Sequence, residues 1–398
     1  MNKFFYKYKN FLLISIELII LIFVFYKKAS NLGYFYDEMG NLNAGLNFIK
    51  SLNYFSEGFD NYSPRLSSGV FVTLIPSLLL YLTNEVIYSR MIFASYNTLL
   101  FYYFKNTIEK HLNIKVSNIS FFIALIFLIN MSFANSYYYL VGEFPSVILF
   151  LISSILFQSN YRKSSYFLFG VSIFLGKFIL LLSFMCFLMF YKLITKKKVF
   201  YQVQYFFIPP FIWLFLVLIK SDYNLIEYFF EYINFFNQGG GKPTFDLINS
   251  KRVDTAEFFN FTLYTKIKLL MPIIIISIFS LYKKIYNTVP LRIFKYLIWV
   301  NLLWYLLLSE STYYRYSLNF QILYLAVFLI LISSYNDKSS NFYILFLSLF
   351  FVRTIYGILG IFILMIIVYF KEPSNNFEIK SYIFLFLVNA DFLYNNFF

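Results

Sequence analysis

The sequence predicts an all-α, polytopic membrane protein, and three observations carry that prediction. Of its 398 residues 60% are hydrophobic and 13% charged, with a mean hydropathy of +0.67, whereas a soluble domain is about half apolar and a quarter charged. The apolar residues fall in runs of 15 to 31 rather than in the shorter stripes of core helices. The net charge of +14 is spread beside these runs instead of forming one compact basic face, as expected of residues that orient spans in a bilayer rather than bind nucleic acid.

The first run, 11–26, follows Lys3, Lys7 and Lys9 and resembles a signal sequence. No small-x-small cleavage site comes after it, so an uncleaved first span is expected. Further runs lie at 67–83, 86–104, 118–134, 144–158, 164–194, 203–219, 267–282, 291–309, 316–334, 341–370 and 381–397. At about 20 residues per crossing, and with 164–194 dividing at Gly176 and 341–370 near Arg353 to Gly360, these predict about 11 to 13 transmembrane helices.

Lys196, Lys197 and Lys198 form one dense basic cluster, and Lys283, Lys284, Arg292 and Lys295 another. The positive-inside rule assigns both to the cytoplasm. Two larger loops, 27–66 and 220–266, then lie outside with the short turn from Glu310 to Arg315. Lys105, Lys110, Lys115, Arg162 and Lys163 are also expected inside, which requires one of 67–83 and 86–104 not to cross and 164–194 to cross twice. That arrangement puts Glu143 outside. Residues 1–200 read as one unit carrying the first external loop, and 201–398 as a variable carboxy-terminal region.

Aromatic residues reach 24%, but they pervade loops and runs alike, so the skew reads as base-composition bias rather than as stacking platforms. Cys186 is the only cysteine and His111 the only histidine. Disulfides, thiolate zinc sites and multi-histidine metal sites are thereby excluded. Any catalysis must rest on carboxylates, hydroxyls and cations.

Ten of the 19 acidic residues fall in the two external loops. Solvation accounts for most of them, but not for the adjacent pair Asp37 and Glu38. The pair sits in GYFYDEMGNLNAGLNFIK, at the start of a helix with Met39, Leu42, Leu46 and Ile49 spaced at three or four. Such a helix would lie flat at a membrane surface with its carboxylates at the amino-terminal end. One Asp would cap it; a cap does not need two acids at a lipid interface.

A first span, an external Asp-Glu, an amphipathic helix containing Gly45 and a Pro-bearing turn, here NYSPRLSSG where His-Pro-Pro is usual, together resemble the GT-C glycosyltransferases. The likeness is to the protein-mannosyltransferase and aminoarabinose-transferase branch. Weaker likenesses are Arg90 in YSRMIFASYNTLLFYY, the GEFPS turn at Glu143, GVSIFLGK ending in Lys177, and ESTYYRY with Arg315.

The resemblance implies transfer of a sugar from a polyprenyl-phosphate donor to an acceptor hydroxyl at the external membrane face, with inversion, and makes residues 1–200 the catalytic module. A lipid carrier suits a chain that has no phosphate-cradling loop: NQGGGKPTFD lacks the GxxxxGK[ST] spacing. Because phosphate is already a good leaving group, the reaction needs a base for the acceptor and cations for the leaving phosphate. Asp37 is the candidate base, with Glu38 beside it. Arg65, Lys177 and Arg315 are candidates for the phosphate, and Glu38 and Glu143 for orienting the acceptor.

The sequence specifies no cofactor; a divalent cation, if the reaction uses one, would be held by Asp37, Glu38 and Glu143. The implied partners are the lipid-linked sugar, a lipid, glycan or protein acceptor, and membrane lipids, without nucleic acid. The implied location is the plasma membrane. Two other readings stay open on the sequence, an O-antigen polymerase or ligase and a polysaccharide flippase.

Overall fold

The protein was studied as a computed structural model, which describes residues 18–19, 21–33, 36–51, 69–114, 116, 121, 125, 135–140, 142–175, 178–220, 226, 230, 289–307 and 323. Helix accounts for 87% of the described residues, so packing between helices is what positions everything else. In chain order they are α1 (21–31), α2 (Tyr36–Ser51), α3 (Gly69–Thr83), α4 (Val86–Leu112), α5 (Glu143–Gln158), α6 (Arg162–Leu175), α7 (Phe178–Thr195), α8 (Gln204–Lys220) and α9 (Val289–Leu307). A single helical turn, Asn135–Tyr138, precedes α5.

The helices stop where the backbone turns left-handed. Asn84, Asn113, Asn160 and Lys196 have φ of 58°, 54°, 67° and 57° and follow α3, α4, α5 and α7. Three of the four are asparagine, which takes this conformation at less cost than most side-chain-bearing residues.

Helices α5 and α6 form the tightest hairpin, because small residues line the seam. Ser165 Oγ donates to the Ser153 carbonyl at 2.8 Å and Ser172 Oγ to that of Ser146 at 2.9 Å. Gly142 lies against the Leu175 carbonyl and Gly170 against that of Phe206, so closely that neither leaves room for a Cβ. The second contact brings α8 alongside α6. Between these helices and α7 sits an aromatic core in which Phe157 meets Tyr166, Phe187 and Tyr191 edge-on at 5.0 to 5.5 Å. Each such pair contributes about 0.5–1.5 kcal/mol beyond its burial. Asn301 of α9 bonds Ser183 of α7 at 3.0 Å, and α2 packs on α3 where Gly45 meets Ser77.

The expectation of about 11 to 13 transmembrane helices is corrected by these elements: among the described residues no helix is long and apolar enough to cross a membrane. The physical reason is length and charge: the helices follow their apolar runs closely, as at 144–158 and 203–219, and most of these runs are short. Apart from α4, the named helices from α2 onward have 14 to 19 residues. At 1.5 Å per residue they extend about 21–29 Å, against a hydrocarbon layer of about 30 Å. Helix α4 has 27 residues, but Arg90, Lys105, Glu109, Lys110 and His111 interrupt its apolar surface. The run 164–194 is divided, with α6 ending at Leu175 and α7 beginning at Phe178. The runs at 267–282, 316–334, 341–370 and 381–397 and most of both larger loops lie outside the described residues.

Candidate functional site

The best-defined polar cluster is built on Arg90, four residues into α4. Arg90 Nε donates to Glu38 Oε1 at 2.9 Å and Nη2 to Glu38 Oε2 at 2.6 Å. Nη1 donates to the carbonyls of Ala29 at 3.1 Å and Leu32 at 2.8 Å, and Nη2 also to that of Gly33 at 2.9 Å. All five guanidinium protons therefore have acceptors. Three of those acceptors are carbonyls where α1 ends, groups that a helix terminus leaves without partners of its own. Arg90 thus ties the end of α1 and the start of α2 to α4.

The turn before α5 closes the cluster from the other side. The Tyr139 ring lies 5.1 Å from the Arg90 guanidinium, and its hydroxyl donates to the Gly33 carbonyl at 3.2 Å. Asn41 Nδ2 donates to the Leu140 carbonyl at 2.6 Å, and the Leu140 N–H donates to the Glu38 carboxylate. Two turns of α4 further on, Asn97 Nδ2 donates to the Tyr137 carbonyl at 2.9 Å.

Glu38 has no exposed surface and Arg90 has 5%. Burial pushes the Glu38 carboxyl above its ordinary range, while the hydrogen bonds and charge of Arg90 and the Leu140 N–H pull it back. Removing one partner of a buried pair costs about 3–5 kcal/mol, because the other charge is stranded. A carboxylate held in this way is a fastener. It is poorly suited to act as a base, since a base must reach its substrate.

The candidate residues are distributed as follows. Asp37 is the second residue of α2, one position before Glu38 and about 100° round the helix axis from it. Glu143 is the first residue of α5 and is buried, at the end of a helix where negative charge is favoured. Gly142, immediately before it, touches the Leu175 carbonyl at the end of α6. The start of α2, the turn into α5 and the end of α6 therefore meet at one end of the bundle. Arg65, Lys177 and Arg315 lie outside the described residues. Among the described residues no group of three His, Cys, Asp or Glu could hold a metal ion. Glu38 is in any case committed to Arg90.

Sequence reasoning gave Arg90 only a weak likeness and did not single out Asn41, Asn97 or Tyr139. A usable signal was present. Arg90 and Asn97 fall inside an apolar run, where a charge or amide is expensive unless something buried answers it.

The chain matches no protein-family model, no curated protein and no solved structure.

Proposed function

We propose that the protein transfers a sugar from a polyprenyl-phosphate carrier to an acceptor hydroxyl at a membrane, with Asp37 as the general base. The observation that carries the reading is the Arg90 cluster. It fixes the first turn of α2 through Glu38 and holds that turn beside the one leading to Glu143. A base contributes only if it is held within hydrogen-bonding reach of the proton it removes. A helix start fastened at three points supplies such a mount. In this reading Asp37 takes the acceptor proton, and Glu38 and Arg90 position Asp37 without touching substrate. Glu143 orients the acceptor, while Arg65, Lys177 and Arg315 remain the candidates for the leaving phosphate.

Support for action at a membrane comes from the described surface. Leu82, Leu99, Phe211 and Phe215 are 65% to 69% exposed, and large apolar side chains in the open mark contact with lipid or another apolar partner.

The test is transfer from labelled polyprenyl-phosphate sugars by purified protein in detergent, with an extract of membrane glycans and lipids as acceptor. A covalent labelled product is expected. Asp37→Asn should fold normally yet lose turnover by about 10²-fold or more, the lower range for a positioned base. No product with any donor would overturn the function. Full turnover in Asp37→Asn would overturn the role of Asp37.

A further inference from the structure

At the end of the bundle opposite Arg90, four separate contacts draw basic segments together. His111 at the end of α4 packs edge-on against Tyr161 at 5.0 Å, next to the start of α6. Arg162, the first residue of α6, stacks 3.5 Å over Phe157 and donates from Nη2 to the Tyr191 hydroxyl at 3.1 Å, near the end of α7. The Tyr166 hydroxyl donates to the Val199 carbonyl, which pins the turn after α7. Lys163 Nζ lies 5.7 Å over the Tyr205 ring at the start of α8.

The exposed side chains brought together in this way are Lys110, Lys163, Lys192, Lys196, Lys197 and Lys198. The segments 105–114, 161–166 and 191–205 contain a single acid, Glu109, whose carboxylate accepts the Val116 N–H at 3.1 Å. The other acids among the described residues, Asp37, Glu38, Glu85 and Glu143, are near the opposite end. Among the cations stand Tyr161, Leu193, Phe200 and Tyr201, which are 53% to 68% exposed.

We propose that this end of the bundle, where α4 and α7 finish and α6 and α8 begin, is a docking surface for a bilayer face carrying anionic phospholipid headgroups. The charge is complementary to phosphate. The side chains between the lysines suit a headgroup layer, since amphipathic rings settle at the level of the headgroups, and the exposed aliphatic Leu193 offers no face on which a base could stack. Lys110, Lys163 and Lys192 arrive on three helices, and Lys196, Lys197 and Lys198 on the turn after α7 that the Tyr166 to Val199 bond pins, so the cations are held together before contact. The inference is independent of sugar transfer, because it uses no residue assigned to that site.

The test uses the full chain purified in a neutral detergent and mixed with phosphatidylglycerol or phosphatidylcholine of the same acyl chains. Lipid retained after gel filtration is counted, and soluble glycerol phosphate and a single-stranded oligonucleotide serve as competitors. Phosphatidylglycerol should be retained at least ten-fold over phosphatidylcholine. The Lys196→Gln, Lys197→Gln, Lys198→Gln triple variant should lose at least ten-fold of that retention, given the roughly five-fold that each cation contributes at an anionic surface. A control removing the same charge at Lys27, Lys28 and Lys50 should retain lipid normally.

Equal retention of the two lipids, or equal loss in both triple variants, would overturn the proposal. So would displacement of the lipid by either competitor at a concentration comparable to that of the lipid, which would make the surface a free-phosphate or nucleic acid site. Unchanged helix content in both variants, read by circular dichroism, keeps lost lipid distinct from lost fold.

Discussion

At the scale of single residues the governing fact is that Arg90 has no proton to spare. Its five donors are divided between a carboxylate and three carbonyls of a neighbouring helix end. Arg90→Met should therefore destabilise the fold by about 3–5 kcal/mol, most of it the cost of leaving Glu38 charged and buried. Adding Glu38→Gln should recover part of that loss, and chemical denaturation of the two single variants and the double one measures the coupling. The pH dependence follows from the same pair. Burial already raises the Glu38 carboxyl above 4.5, and losing Arg90 removes what pulls it down. An acid raised in the folded state binds its proton more tightly there, so Arg90→Met should regain stability as pH falls through the raised value and lose it as pH climbs. A variant whose deficit is the same at pH 5 and pH 8 would contradict this account of Glu38.

At the scale of elements, close approach is set by glycines facing a neighbour's backbone or a short side chain. A methyl group at Gly142 would strike the Leu175 carbonyl, which cannot swing aside, whereas one at Gly45 would strike the Ser77 side chain first, with Ser77 Cβ at 2.8 Å. Gly142→Ala should accordingly cost more than Gly45→Ala, both within the roughly 1–3 kcal/mol of an overpacked core or above it. Ser77→Gly should rescue only the second, as thermal melts of the four variants would reveal. These contacts also explain what could be read in advance. The helix beginning near Asp37 was legible, because periodicity is local; Gly176, the expected divider of 164–194, lies outside the described residues. The pairing of Glu38 with Arg90 was not, since 52 residues separate the partners and hydropathy treats each as an isolated polar outlier. The extent of several helices was legible as well: the runs 144–158 and 203–219 are α5 and α8 to within a residue. Helix α4 instead continues past the run 86–104 to Leu112, because Lys105, Glu109 and Lys110 lower hydropathy without breaking the helix.

At the scale of the whole molecule, apolar residues serve two different purposes, and substitution should separate them. Phe150 and Phe157 are fully enclosed, while Leu99, Phe211 and Phe215 are mostly open. Phe157→Ala should cost about 3–5 kcal/mol, and Leu99→Ser or Phe211→Ser should stay within about 0.5 kcal/mol in detergent. The same serine variants should need less detergent to remain monodisperse in light scattering; an unchanged requirement would mean that these side chains do not face lipid. The tie between distant segments has one further consequence, and it concerns time. Gly33 is bonded to Tyr139, and Asn41 to Leu140, across 106 and 99 residues of chain. A ribosome adding about 5–20 residues per second needs roughly five to twenty seconds to bridge such a gap. Throughout that interval the start of α2 can be held only by what is already made, first Ser77 of α3 and then Arg90 of α4, and lacks the turn that closes over it. Nascent chains stalled at residue 120 should leave α2 open to protease, and chains stalled at residue 240 should protect it, so that the beginning of the protein is completed only when its middle has been synthesised.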